Sequence, residues 1–475
     1  MNIHLFHIND VHSQLENYMR LGKQLRSLRQ RHTQAGEWTL TFDIGDTLDR
    51  VRPETEATFG EVNAALMSAL GCDGWVFGNN EGLTIPVQRW ANLAARAQVP
   101  VLGTNIRQPD GTPFPFFADT WIYEREGVRL GVFGVTPNFE GPYGVLGVQV
   151  RDPFACAAAA VAQLRQAGCD IVVALSHLGL HQDQALAREV PGIDVILGGH
   201  THQFMTEPVF VGSTAIFQPG KHGVVFGHTV IDYDVQRRSI RQVHSEPVAV
   251  NLHGPLDTQM LSAYRGYLPD IESSLSRCVA RLSEPLSVAF DRESWFGNLL
   301  VDILFQRYPC DLGIMMAGAL TASLLKGEVQ LQHVLGACTT PTRPIRLTLQ
   351  GRDLIQALEA SIQPETYHRP GFGFGFRGAV VGVLAVANAE IVLERAMGGA
   401  CRIAAVKVAG QRVDPNRWYR VVTCEYLWLS PVFPAFHRGR NIEFHQPLVR
   451  DLLLEGLADA ALLQQARVPR YSYLR

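Results

Sequence analysis

The sequence predicts a layered α/β protein built from two domains. Two observations carry this reading. Short apolar runs alternate with helix-forming stretches through the first half of the chain, the pattern of sheets covered by helices. The chain is also 475 residues long, beyond what one hydrophobic core usually serves, and its patterning restarts past the middle. A hydrophobic content of 47% with 18% charged residues is that of a folded protein.

Taken in order, Ile3–Ile8, Trp38–Phe42, Gly74–Phe77, Val99–Leu102, Arg129–Phe133, Ile171–Leu175 and Val195–Leu197 read as strands. Several are near-continuous apolar runs, as expected where both faces of a sheet are covered. Val99–Leu102 is the weakest, because Pro100 has no N–H for a ladder and suits a strand start or an edge. Leu21–Arg31, Gly60–Leu70 and the alanine-rich Phe154–Ala167 read as helices. Val224–Tyr233 reads as an edge strand closing the first domain. Asn251–Pro255 reads as a loop, and Asp257–Leu282 as one long connecting helix. From about Glu284 the pattern restarts, with helices Glu293–Arg307 and Gly351–Ser361 and strands Ile345–Leu349, Ala379–Val386 and Tyr419–Thr423. The expected division is residues 1–250, a linker at 251–283, and a second domain at 284–475.

The net charge is −3, from 42 basic and 45 acidic residues, so nothing points to a nucleic-acid polymer or an anionic membrane as partner. No apolar run reaches the roughly 18 residues of a membrane span. Met1 leads straight into a strand, with no basic segment or cleavage site, which predicts a cytoplasmic protein. The eight cysteines form no C-x-x-C pair. They read as reduced thiols, small buried side chains rather than zinc ligands.

The strand ends carry the chemistry. The strands run into Asn9-Asp10-Val11-His12, Asp43-Ile44-Gly45-Asp46, Gly78-Asn79-Asn80-Glu81, Ser176-His177-Leu178-Gly179 and Gly198-Gly199-His200-Thr201-His202. In open α/β sheets ligands gather beyond the carboxyl ends of strands. Imidazole and carboxylate together suit zinc, manganese, iron and related divalent ions. Asp10 with His12, and His200 with His202, stand two apart, a spacing that shares a face if the segments are extended. A carboxylate such as Asp46 can bridge two cations roughly 3.5–4 Å apart. Any one of these residues alone is commonplace: a turn asparagine, or a satisfied histidine such as His4, His7, His181 or His222. Their combination is not.

These blocks, in this order and spacing over about residues 1–250, resemble the five signature blocks of the calcineurin-like metallophosphoesterases. The second half resembles the substrate-binding domain of 5′-nucleotidases and UDP-sugar hydrolases, through Glu293–Asp302 and Ile345–Glu359. The resemblance implies a four-layer αββα metallophosphoesterase domain followed by a smaller α/β 5′-nucleotidase-type C-terminal domain. It implies two divalent ions (Mn, Zn or Fe), one held by Asp10, His12, Asp46 and His202, the other by Asp46, Asn79, His177 and His200. Hydroxide generated there would attack a small-molecule phosphoester, with nucleotides the first expectation. A phosphodiester or pyrophosphate hydrolase, such as a nucleotide-sugar hydrolase, and a metal-loaded binding protein without turnover are the alternatives.

Two departures stand out. The family's third block reads Gly-Asn-His-Glu-x-Asp; here it reads Gly78-Asn79-Asn80-Glu81-Gly82-Leu83. The histidine that would assist the transferring phosphate is Asn80, and the aspartate that would orient it is Leu83. This resembles a signal-less bacterial branch with a Gly-Asn-Asn-Glu block. An amide donates a hydrogen bond but delivers no proton at neutral pH, and His181 is a possible substitute acid. In the second domain the family's nucleotide-contacting segments appear as Met315–Leu320 and Leu429–Phe433, without their arginine and aspartate. A replacement is Gly371–Gly378, whose Phe372, Phe374 and Phe376 would share a face if extended and whose Arg377 could pair with phosphate. The same aromatic face could equally pack into the core. Trp428, Phe433 and Phe436 are further stacking candidates.

Overall fold

The computed structural model describes residues 1–373, 375–395 and 401–474. The chain divides into two compact units, Met1–Ile271 and Glu272–Arg475.

The strands of the first unit used below are β1 (Asn2–Ile8), β2 (Trp38–Asp43), β3 (Gly74–Val76), β4 (Val101–Leu102), β5 (Phe117–Ala118), β6 (Thr120–Arg125), β7 (Val128–Val135), β8 (Ile171–Ser176), β9 (Val195–Gly198), β10 (Val209–Val211), β11 (Thr214–Phe217), β12 (Val225–Asp234) and β13 (Ser239–Ala249). Among its helices are α1 (Leu15–Gln34), α2 (Glu61–Leu70), α3 (Asn79–Thr84), α4 (Val87–Ala97), α5 (Pro153–Gln166) and α6 (Leu180–Glu189); α7 (Thr258–Leu275) runs past the unit's end at Ile271. One sheet runs in the order β13-β12-β1-β2-β3-β4-β5, the other β10-β11-β9-β8-β7-β6.

Three cores make these sheets four layers. Ile3, Leu5 and Phe42 of the first sheet pack with Leu130, Val173 and Leu197 of the second. The opposite face of the first sheet, with Phe6 and Ile8, packs on Leu21, Met67 and Trp90 of α1, α2 and α4. The outer face of the second, with Val172 and Ile196, packs on Ala160 and Leu164 of α5 and Leu186 of α6. Alternate residues of β1 thus feed two different cores, which explains its unbroken apolar run. The start of α5 is fixed by Asp152, whose carboxylate accepts from the Ala155 N–H at 2.9 Å, with Pro153 at the first helical position.

His7 faces the intersheet layer, edge-on to Phe217 with ring centroids 5.9 Å apart. Its partner across the ladder is Gly227, where a Cβ would come within 2.2 Å of the ring. Burial lowers the His7 pKa to about 3. The unfolded chain takes up this proton near pH 6.5, whereas the folded chain holds out until about pH 3. The stability His7 contributes is therefore full above pH 6.5 and is lost as pH falls from there toward 3, by roughly 1.4 kcal/mol per pH unit. Urea unfolding with chelator present at pH 7 and pH 5 should show this slope, and His7→Leu should lower it by one proton's worth.

The second unit is built around one core. Among its elements are β14 (Cys278–Leu282), α8 (Trp295–Arg307), β15 (Leu312–Met316), β16 (Gly327–Gln330), β17 (Pro344–Gln350), α9 (Gly351–Ser361), β18 (Leu384–Ala387), β19 (Ala389–Arg395), β20 (Cys401–Val408), β21 (Gln411–Arg412), β22 (Trp418–Cys424), β23 (Arg440–Phe444) and β24 (Tyr471–Tyr473). A five-stranded sheet runs β18-β15-β22-β17-β23, a four-stranded sheet β21-β20-β19-β24, and β14 pairs with β16.

Several sequence expectations need correction. The strand expected at Val224–Tyr233 is not an edge: β12 pairs with β1 on one side and with β13 on the other. β13 is the edge, and its largely exposed, polar sequence hid it. The helix expected over Asp257–Leu282 stops at Leu275, and Cys278–Leu282 is a strand. The strand expected over Ala379–Val386 begins only at Leu384, after Gly382 with φ +72°. All eight cysteines are free thiols, and no helix among the described residues is long and apolar enough to cross a membrane.

Candidate metal centre

The polar residues at the strand ends of the first unit converge. Asp10 and His12 follow β1, Asp46 follows β2, Asn79 opens α3 after β3, His177 follows β8, and His200 and His202 follow β9. β1, β2 and β3 are parallel neighbours in one sheet, as are β8 and β9 in the other. Two groups form, Asp10–His12–His202 and Asp46–His177–His200, each with ligand atoms within 4.8 Å of one another. In the first, Asp10 Oδ1 lies 3.2 Å from His202 Nε2 and 3.7 Å from His12 Nε2. The two Nε2 atoms of His12 and His202 are 3.1 Å apart. Asp46 faces both groups: Oδ1 is 3.3 Å from His177 Nε2, and Oδ2 is 3.9 Å from His12 Nε2.

The backbone that achieves this is not extended. Asp10, His12, Asp46, His200 and His202 all have positive φ, between 48° and 73°, an uncommon conformation for non-glycine residues. The same-face spacing expected of each histidine-containing pair is therefore wrong for His200 and His202, whose turn sends them to different groups. Such residues cost roughly 1–3 kcal/mol each and persist where their surroundings hold them. Here the Asp10 N–H donates to Gly45 O and the His12 N–H to Asp46 O, both at 2.9 Å, lashing the turn after β1 to the turn after β2. Glu81, fully buried, accepts from the N–H groups of Asp46, Leu48 and Gly78 at 2.9, 3.0 and 2.9 Å. Two glycines allow the close approach of these turns. A Cβ at Gly45 would lie 2.4 Å from Gly78 N, and one at Gly78 would lie 2.2 Å from Asp46 Oδ1.

The site fits a pair of cations. Asp10 Oδ1, Asn79 Oδ1 and His177 Nε2 are buried with no hydrogen-bond partner. The other atom of two of these groups is engaged. Asp10 Oδ2 accepts from Asn9 Nδ2 at 2.7 Å and from the His200 N–H at 2.8 Å. His177 Nδ1 lies 2.7 Å from Ile44 O, so it carries a proton and turns the Nε2 lone pair inward. Burial opposes a proton on His177, but the Asp46, Asp10 and Glu81 carboxylates outweigh it and raise its pKa to about 10. Burial likewise opposes charge on Asp46 and Asp10, yet the neighbouring histidines hold both below the usual carboxylate range. Burial and His177 lower His200 to about 4 and keep it a neutral donor. The negative potential that favours a proton here favours a metal ion in its place, and metal binding displaces the proton. Imidazole, carboxylate and amide oxygen suit zinc, manganese and iron.

Asn80 does not stand clear of the centre. Its Nδ2 donates to Leu48 O at 3.0 Å and lies 2.9 Å from His12 Nδ1, while its N–H donates to Asp46 Oδ1 at 2.8 Å. Sequence reading missed three neighbours. Asp49 Oδ2 lies 3.5 Å from His12 Nδ1. The ring of His222 stands 5.8 Å from that of His12, and the His222 backbone N–H donates to Asp10 O at 2.7 Å. Asp183 is buried between Ser176 Oγ at 2.5 Å and Gln218 Nε2 at 2.7 Å, behind His177. The glycines flanking His222, and an aspartate three residues after Asp46, were the available signals.

The remaining expected residues are placed as follows. His181 is exposed at the start of α6. Phe374 lies outside the described residues. Gly373 and Gly375 have positive φ, so the segment turns rather than extends, and Phe372 and Phe376 do not share a face. Phe372 is exposed, whereas Phe376 is buried and stacked on Tyr426 at 4.7 Å. Phe433 is also packed in the core. The Arg377 N–H donates to Thr340 Oγ1 at 3.1 Å.

A two-sheet domain that gathers histidines, carboxylates and an amide into adjoining groups beyond its strand ends, followed by a second α/β domain, defines a metal-dependent phosphoester hydrolase. Known proteins agree. Residues 3–204 match the calcineurin-like phosphoesterases, and residues 279–433 match the 5′-nucleotidase C-terminal domain. The uncharacterised metallophosphoesterase YunD of Bacillus subtilis is 30% identical over 459 residues, covering 96% of this chain and 99% of that protein. An apyrase of Tabanus yao is 22% identical, covering 89% of this chain and 84% of that one. The structure of the NAD nucleotidase of Haemophilus influenzae matches in fold, with a TM-score of 0.71 at 16% identity over 100% of both chains. The chain belongs to the calcineurin-like metallophosphoesterases that carry a 5′-nucleotidase C-terminal domain.

Proposed function

We propose that this chain hydrolyses small phosphoesters, nucleotides among them, at two divalent ions of manganese, zinc or iron. One would be held by Asp10, His12, Asp46 and His202, the other by Asp46, Asn79, His177 and His200. The observation that carries this is the Asp46 carboxylate, with one oxygen toward each histidine group. When bound, the ions supply Lewis acidity toward water and toward the phosphoryl oxygens. The rest falls to the chain. Ile44 O fixes the ring of His177, and Asp49 and Asn80 abut the far nitrogen of His12. Glu81 pins the turn that presents Asp46.

Asn80 favours a second reading within the same chemistry. It cannot hand a proton to a departing alkoxide, so substrates whose leaving group departs as a stable anion gain most. Pyrophosphate and other phosphoanhydride bonds are of this kind. An apyrase among the relatives and a NAD nucleotidase among the structural neighbours accord with that reading. The test is the purified full-length chain with manganese, assayed on nitrophenyl phosphate, bis-nitrophenyl phosphate, AMP and UDP-glucose. Hydrolysis of nitrophenyl phosphate is expected, with UDP-glucose cleaved faster than AMP if the second reading holds. Metal-loaded protein that turns over none of the four would overturn the hydrolase assignment.

A further inference from the structure

A second cluster of imidazoles stands at the amino end of β1, whereas Asp10 and His12 follow its carboxyl end. In the β1–β12 ladder His4 pairs with Val230 and Phe6 with His228, so His4 and His228 are diagonal neighbours on one face. That face is covered by helices, and the last turn of α1 lays His32 over His4 with ring centroids 3.8 Å apart. His4 Nδ1 lies 2.9 Å from His228 Nε2. One ligand nitrogen of each of the three rings lies within 4.8 Å of the others. His4 and His228 are buried, while His32 is partly exposed and gives the cluster a side open to solvent.

Two carboxylates stand behind the rings. Glu37 Oε2 lies 2.6 Å from His32 Nδ1 and 3.2 Å from His4 Nε2. Glu246, opposite His228 in the β12–β13 ladder, brings Oε1 to 3.5 Å from His228 Nδ1. Glu37 hydrogen-bonds His32 Nδ1 and stands near His4 Nε2, positions from which carboxylates orient metal-binding histidines. At 2.9 Å one of His4 Nδ1 and His228 Nε2 donates to the other; with the protons moved to the outer nitrogens, both lone pairs would face inward beside the His32 ring. A metal ion binding there would take the place of the proton the two nitrogens share. The rings stay neutral at neutral pH: burial and His32 hold His4 below its ordinary pKa, and burial with His4 lowers His228 to about 4.

We propose that His4, His32 and His228 bind one borderline divalent ion, zinc or a neighbouring first-row metal, with Glu37 and Glu246 orienting the rings. Neutral imidazoles are the donors such ions prefer. The ion would tie the end of α1 to β1 and β12, a structural role separate from hydrolysis. His32, half-buried in the last turn of α1, is the one ring of the three with a side toward solvent.

Metal content of the full-length chain after dialysis against zinc separates this site from the catalytic one. Three ions per chain are expected in the unsubstituted protein. Two are expected in His32→Ala and in His228→Asn, with nitrophenyl phosphate hydrolysis retained. His32→Ala is the milder change, because its position is partly exposed. Glu37→Gln should weaken the third ion by about 10–100-fold. Zinc-edge anomalous diffraction should place a peak among the three rings. Two ions in the unsubstituted chain and in both variants, with no peak between the rings, would overturn the proposal and leave the Asp46 centre untouched. A peak between the rings with none at Asp46 would uphold it while removing the two-metal assignment.

Discussion

Asp46→Asn should cut hydrolysis of nitrophenyl phosphate by roughly 10³-fold or more and lower the bound metal, with the fold intact. Losing one preorganised charge-stabilising contact typically costs about 10²–10³-fold, and in the proposed centre Asp46 would serve two ions at once. The amide keeps the size of the carboxylate but only one of its acceptor oxygens. If that oxygen retains the 2.8 Å hydrogen bond from the Asn80 N–H, the NH2 group turns toward His12 and presents a donor where a ligand is needed. The turn itself should survive, because it is held through the Asp46 N–H by Glu81 and through Asp46 O by His12. Metal analysis, steady-state kinetics and a thermal melt on the same preparation make the check. Full activity in the variant removes the two-metal assignment.

The residues of this site were legible because each polar block ends an apolar strand, and all but Asn9–His12 carry glycine. Gly45-Asp46 and Gly199-His200 could be seen without knowing how their strands pair. Which histidine joins which group could not be read from spacing. His200 and His202 diverge because their residues adopt positive φ, and those turns rest on bonds between distant segments, such as Asp10 N–H to Gly45 O. The same blindness hid Asp49 and His222, which reach His12 from other loops. Strand β13 escaped because an exposed edge needs few apolar residues. The Gly371–Gly378 segment misled for the opposite reason. Alternating phenylalanines suggest a strand face, but Gly373 and Gly375 have positive φ, and Phe372 is exposed while Phe376 lies in the core.

The rate of hydrolysis should fall steeply as the leaving group becomes more basic, with nitrophenyl phosphate preferred over AMP-like monoesters by about 10²–10⁴-fold, the usual worth of general acid help. The third signature block explains why. Asn80 cannot deliver a proton at neutral pH, and its amide is already committed to Leu48 O and set against His12. A nitrophenolate or a phosphate departs without that proton, whereas a ribose 5′-oxygen needs it most. The measurement is log(kcat/KM) across a series of aryl and alkyl phosphates of graded leaving-group pKa. Restoring the family dyad with Asn80→His and Leu83→Asp should flatten the slope, though not freely. Leu83 packs partly buried against the helical core, so a carboxylate there loses apolar contact and needs the new imidazole as its partner. A histidine at position 80 also gives up the donor to Leu48 O. A melting temperature taken beside each rate separates this structural cost from the chemistry. A flat dependence in the unsubstituted chain would defeat the missing-acid argument and turn attention to His181, exposed at the start of α6, or to water as the proton source.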